Sequence, residues 1–217
     1  MTRRHRGTPG TTFLVGLILA GFAIEVWRGA WTDWQVLAEL GAVIRERILD
    51  HGEYWRLLSA IFLHGNGTIP GTLLHLGVNL MSLINIGRLY EVMFGTRRIV
   101  LIFFATGISA SITSMMLTGG QSVGASGAVF GVLGALVSSI MRSPRFRRDR
   151  VARSIVRQCV FWIIVNIAIG LQIPQIDNAA HIGGLLAGLL LGAALPHRTP
   201  PPSPAEVVVD VVPRDPM

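Results

Sequence analysis

The strongest constraint on how this chain folds is a series of apolar stretches too long for an ordinary soluble core. They cover residues 11–28, 69–90, 98–118, 123–141, 155–172 and 179–196. Each approaches the length of about 20 residues that carries an α-helix across the hydrocarbon layer of a bilayer. Charged residues make up 14% of the chain, against about 25% in soluble domains, and the mean hydropathy is +0.54. We therefore expect an all-α polytopic membrane protein with six transmembrane helices. Residues 11–197 form its membrane domain, 1–10 a cytoplasmic N-terminal segment, and 198–217, rich in proline and valine, a disordered cytoplasmic tail.

The basic residues orient these stretches. All 19 are arginine. Fifteen lie before the first stretch, at the connection of the second to the third, around that of the fourth to the fifth, or after the sixth. Four (Arg28, Arg45, Arg47 and Arg56) lie on the other side. The positive-inside rule then puts both termini in the cytoplasm. The same distribution argues against nucleic acid as the reason for the net charge of +7, since no aromatic-basic platform accompanies it. The arginines ahead of Phe13–Ala23 also resemble a signal peptide, but no A-x-A site follows and Glu25 sits near the far end, so a retained helix is the better reading. The lone cysteine, Cys159, can form no internal disulfide, and no metal-ligand spacing is present, so neither a metal nor another cofactor is expected. In the long outer loop, residues 29–68, Thr32 or Asp33 can cap a helix that carries Val36, Leu37, Leu40, Ile44 and Ile48 on one face. With Trp31, Trp34 and Trp55 nearby, this is expected to be an interfacial helix.

Polar side chains inside apolar spans are costly, which makes each a functional candidate. Four stand out: His75, Asn79, Ser126 and His181. The arginine-derived topology places His75, Ser126 and His181 at one depth, a turn or two below the outer surface. His75 and Asn79 share a helix face at a spacing of four. Gly184, Gly188 and Gly192 share a face with His181, and Gly127 and Gly131 follow Ser126 at the same period. Small residues at this spacing let helix backbones approach closely, and contact between the two faces brings His181 against Ser126. A serine hydroxyl becomes nucleophilic when an adjacent base takes its proton, and a neutral imidazole does this near pH 7. His75, Asn79 and the Ser126 backbone N–H can supply donors for an oxyanion. Taken singly, each residue has a plainer role: serine bonding its own helix, histidine bridging two helices, asparagine as helix glue, glycine as packing. The coincidence of depth, face and chemistry favours catalysis.

Five segments resemble the rhomboid intramembrane serine proteases. Tyr54-Trp55-Arg56 is similar to the family's Trp-Arg signature, and His75 to Asn79 to its H-x-x-x-N. Gly87, Glu91 and Gly95 follow its G-x-x-x-E-x-x-x-G. Gly124-Ala125-Ser126-Gly127 matches G-x-S-G, and Ala180-His181 with Gly184 and Gly188 matches A-H-x-x-G-x-x-x-G. The resemblance spans residues 54–192. It implies a six-helix rhomboid-like bundle with a catalytic dyad of Ser126 and His181 and no acidic third member, with His75 and Asn79 at the oxyanion. It further implies cleavage of single-span membrane proteins in or near their membrane segment. Many relatives carry tyrosine four residues after the nucleophile; here it is Phe130, which keeps the ring and lacks the hydroxyl. Asp177 is near His181 in sequence, but the family pattern does not make it a triad member. Glu91 reads as structural, and Glu25 has no assigned role.

The alternative on the same fold is a non-proteolytic module that binds or chaperones membrane proteins. A small transporter is disfavoured, because no internal repeat is present and the polar cluster lies near one surface. The expected partners are transmembrane protein substrates and the lipid bilayer. The expected location is a multi-pass cell membrane, bacterial in kind, with the site near the outer face.

Overall fold

The computed structural model describes residues 7–119 and 121–195. The expected tail at 198–217 and most of the expected N-terminal segment lie outside the described residues. The described chain is helical, and its one β-type contact is an isolated antiparallel bridge between Val43 and Ser122.

Helix α1 (Pro9–Arg28) starts with proline at its first position, where no N–H is needed, and stops at Gly29, whose φ of +74° closes the last turn. Helices α5 (Ile69–Ser82) and α6 (Arg88–Phe94) run together as one rod, Ile69–Phe94, widened by a π-type turn at Leu83–Gly87. Helix α7 (Thr96–Leu117), α8 (Ser126–Arg142), the short α9 (Pro144–Arg148), α10 (Arg150–Gly170) and α11 (Asn178–Ala194) complete the bundle. Four of these segments, namely α1, the α5–α6 rod, α7 and α10, have the length and apolarity to cross a membrane. The other two apolar helices, α8 and α11, are shorter at 17 residues each.

Helix α8 is the centre of the core, buried almost continuously from Gly127 to Leu136, with α11 and α7 packed along it. Glycine sets the spacing between α8 and α11. A Cβ built on Gly184 would lie 2.0 Å from the Gly127 carbonyl oxygen, and one on Gly188 would lie 1.9 Å from that of Gly131. The two expected glycine faces therefore meet backbone to backbone. Polar groups reinforce the contact: Ser139 Oγ donates to Gly192 O at 3.2 Å, and Ser109 Oγ on α7 donates to Gly183 O at 3.3 Å.

Glu91 has the structural role its sequence context suggested, tying α6 to the starts of α1 and α7. Its carboxylate accepts from Gly10 N, Thr11 N and Thr11 Oγ1 at 2.7–2.8 Å and from Thr96 Oγ1 at 2.7 Å. Two of these donors are first-turn N–H groups of α1, which have no partner within their own helix.

The loop over residues 29–68 corrects one expectation. The single helix carrying Val36 through Ile48 is instead two, α2 (Trp34–Leu40) and α3 (Arg45–Leu49). Asp33 caps α2, its Oδ1 accepting from Gln35 N at 2.8 Å. Gly41 ends it in the left-handed region, at φ +114°. No larger residue fits there, since a Cβ on Gly41 would lie 2.4 Å from the Trp55 ring. Leu37 and Ile48 still point inward, at 1% and 0% exposure, so the loop forms a cap packed on the helices. Arg56, at the start of α4 (Arg56–Ser59), locks the cap together. Its buried guanidinium donates to Ala38 O, Ala42 O and Glu53 Oε2.

Candidate functional site

The cap holds the turn that leads into α8. Val43 and Ser122 exchange backbone hydrogen bonds at 2.9 and 3.2 Å, and Gly124 N donates to Ala60 O at 2.9 Å. Gly124 has φ +128°, which an L side chain rarely adopts. A Cβ there would also lie 2.7 Å from His75 Nε2. Glycine is thus required twice over at this position, for backbone conformation and for the approach of the histidine ring.

Ser126 is the first residue of α8. Its Oγ is 2.9 Å from Nε2 of His181, which lies in the first turn of α11. One face of the imidazole stacks on Phe130, with ring centroids 4.2 Å apart and planes 5° from parallel. Phe130 is one helical turn after Ser126, so α8 supplies both the hydroxyl and the ring that fixes its partner. His181 Nδ1 is buried without a hydrogen-bond partner among the described residues. Asp177 is not hydrogen-bonded to it and is turned to other donors. Oδ1 accepts from Ala180 N at 2.9 Å, capping α11, and Oδ2 accepts from Ser114 Oγ. Among the described residues no carboxylate is hydrogen-bonded to this hydroxyl–imidazole pair.

The other two candidates lie on α5. His75 Nδ1 is 3.2 Å from His64 O. A carbonyl only accepts, so Nδ1 carries the hydrogen, and Nε2, beside Gly124, is the bare nitrogen of the neutral ring. Asn79 is buried at 4% exposure, and its Nδ2 donates to His75 O at 2.9 Å, which leaves that nitrogen a second hydrogen. Among the described residues neither side chain is hydrogen-bonded to Ser126. The structure therefore joins Ser126 to His181 directly, sets His75 against the preceding turn, and places Asn79 one turn further along α5.

One residue at this site escaped the sequence reading. His64 is fully buried, and its Nε2 accepts from the Ala125 N–H at 3.5 Å while Nδ1 faces Phe62 O at 3.3 Å. Its ring lies 5.0 Å from that of His75. It lies outside the apolar helices, so polarity within a span did not flag it. Burial, and secondarily the neighbouring His75, pushes its pKa down to about 3. An unfolded chain binds this proton below about 6.5, whereas the folded protein does not until about 3. The resulting stability is therefore complete above pH 6.5 and is lost as pH falls toward 3. Thermal unfolding in detergent at pH 7 and pH 5 should show a larger drop in Tm for the wild type than for His64→Gln.

Comparison with known proteins gives the family. The Rhomboid domain profile matches residues 51–198. Rhomboid protease GluP of Bacillus subtilis (strain 168) is 37% identical over 193 residues, covering 88% of this chain and 36% of that protein. RHOMBOID-like protein 5 of Arabidopsis thaliana is 39% identical over 163 residues, covering 73% and 49%. RHOMBOID-like protein 6, mitochondrial, of the same plant is 38% identical over 160 residues, covering 73% and 49%. The chain thus spans between about a third and a half of the length of these relatives. The matched region runs from the cap through α11 and contains the hydroxyl–imidazole pair, the glycine faces and the buried Arg56. By its domain profile and by its sequence, this chain belongs to the rhomboid family of membrane proteins.

Proposed function

We propose that the chain is an intramembrane serine endopeptidase that cuts single-span membrane proteins in or near their membrane segment. The observation that carries this reading is the 2.9 Å contact between Ser126 Oγ and His181 Nε2, in a ring stacked on Phe130 at the N-terminus of α8. Ser126 Oγ attacks the scissile carbonyl as its proton passes to His181 Nε2. The imidazolium then protonates the departing amine, leaving an acyl-enzyme on Ser126. Water, deprotonated by the same nitrogen, releases the second product. Aromatic stacking and the N-terminal position on α11 orient the base, in place of a carboxylate.

The negative charge that develops on the carbonyl oxygen needs donors already in place. The first-turn N–H groups of α8, that of Ser126 among them, have no partner within their own helix, and the positive end of the helix dipole lies there. The second hydrogen of Asn79 Nδ2 is a further donor. His75 Nε2 joins once the ring takes a second proton or its hydrogen moves from Nδ1. Asn79→Ala is expected to lower kcat by about 10²-fold without abolishing cleavage, since other donors remain. An unchanged kcat would remove Asn79 from the oxyanion site.

The arginine distribution supports an orientation with the Arg-rich connections in the cytoplasm and the cap outside. At 17 residues, α8 and α11 are each about 25 Å long, less than the hydrocarbon thickness of about 30 Å. This allows both to begin below the outer surface, within reach of water. A substrate helix hides its carbonyls in internal hydrogen bonds, so it must unwind before attack.

The test is cleavage of a single-span reporter by the purified protein, together with fluorophosphonate labelling of Ser126. Wild type should cleave and be labelled, and Ser126→Ala should do neither. Cleavage that survives in the Ser126→Ala variant would sink the mechanism. Absence of both cleavage and labelling in the wild type, with the reporter retained in the complex, would favour the binding-module alternative.

A further inference from the structure

Glu25 lies near the end of α1 and is fully buried. Burying a carboxyl group is costly unless it is well satisfied. Its Oε1 accepts from the backbone N–H of His64 at 2.5 Å. The Gly65 N–H also faces this carboxyl group, but Oε2 has no well-formed hydrogen bond. Helix α1 thus commits a buried acid to one short segment, the link between the cap and α5. That link carries His64, which is engaged on every side. Its N–H goes to Glu25, its carbonyl takes the His75 Nδ1 hydrogen at 3.2 Å, and its Nε2 takes the Ala125 N–H at 3.5 Å. Ala125 immediately precedes Ser126.

We propose that Glu25 and His64 are positioning residues of the site: Glu25 fixes the main chain of His64, and His64 fixes both the His75 ring and the turn that presents Ser126. The proposal rests on the proteolytic reading above for its kinetic consequences, and on the hydrogen-bond chain alone for its structural ones. Glu25 touches no reacting atom and acts only through His64. A buried acid that merely tied α1 to the cap would need neither of the two bonds by which His64 reaches His75 and Ala125.

The test is a double-mutant cycle of Glu25→Ala and His64→Leu, with kcat and KM measured on the single-span reporter. Each single variant is expected to lose about 10- to 100-fold in kcat with KM changed less than about twofold, as for small displacements of reacting groups. The double variant should be faster than the product of the two single losses predicts, because His64→Leu already removes the Ala125 branch through which Glu25 acts, while the main-chain branch to His75 remains. Glu25→Gln keeps an acceptor oxygen and should stay within about threefold of wild type. A second readout needs no catalysis: nitrogen-15 spectra of the histidine rings should show His64 and His75 protonated on Nδ1, with the His75 signals displaced in Glu25→Ala. Equal loss of kcat from Glu25→Ala in both backgrounds, or a lowered Tm with unchanged kcat and unchanged ring signals, would overturn the proposal. Should Glu25→Ala not fold, Glu25→Gln decides, and a loss beyond about tenfold with wild-type ring signals would likewise overturn it. Wild-type protein that fails to cleave refutes the proteolytic reading, while the ring spectra still test the hydrogen-bond chain.

Discussion

With Ser126 replaced by alanine, cleavage of a single-span reporter is expected to fall by about 10⁴-fold or more, to the background of the assay. His181→Ala should reach the same floor, because a serine hydroxyl without its base is a poor nucleophile. The two losses should not add: the double variant is expected to be no slower than either single one, since the residues act as a unit. Stability separates the two variants. Ser126→Ala removes one oxygen at the start of α8 and should leave Tm nearly unchanged. His181→Ala empties the space between Phe130 and Ser126 and should cost about 1–3 kcal/mol, as buried-group deletions do. Thermal unfolding in detergent, run beside the cleavage assay, checks both. A Ser126→Ala protein that unfolds at the assay temperature would make its lost activity a folding effect and remove the support for Ser126 as nucleophile.

The second large effect is expected at Gly188, far from the chemistry. A methyl group there would lie 1.9 Å from the Gly131 carbonyl oxygen and 2.8 Å from its Cα. These atoms belong to the backbone of a buried helix and cannot rotate aside. Gly188→Ala must therefore push α11 away from α8, at a cost of about 3 kcal/mol or more, the upper range for overpacking. The same displacement lengthens the His181–Ser126 contact, and misplacement by about an ångström can cost about 10²-fold in rate. We expect Gly188→Ala to lose both Tm and cleavage. Gly16→Ala is the control: nothing lies within 4 Å of a Cβ built there, so helix propensity alone predicts equal or slightly higher stability. Wild-type behaviour of Gly188→Ala would show that the two backbones are not in the contact described.

Much of the architecture was legible because hydropathy and periodicity are local properties. The apolar stretches located α1, the α5–α6 rod, α7, α8, α10 and α11 to within several residues. Glycines at four-residue spacing on α8 and α11 marked the two faces that meet, and once they meet, Ser126 and His181 follow. The loop over residues 29–68 was read less well. Its apolar face is plain in the spacing, but Gly41 sits inside that pattern, and a left-handed glycine ends a helix whatever the periodicity around it. Glu91 was legible as structural, yet its choice of partner was not, since the N–H groups of Gly10 and Thr11 are about 80 residues away in the chain.

The sequence by itself determined the class of molecule, the positions of its polar residues along the apolar stretches and the order of its motifs, because these depend on residue type, spacing and the cost of burying polarity. Only the tertiary structure decided which polar groups satisfy one another. It committed both oxygens of Asp177 elsewhere, placed the His75 hydrogen on Nδ1, and turned Glu25 toward His64 and His64 toward Ala125. Hydrogen-bond partners are chosen at contact distance, and a local pattern such as the glycine spacing marks a packing face without naming the remote polar groups that the packing brings together.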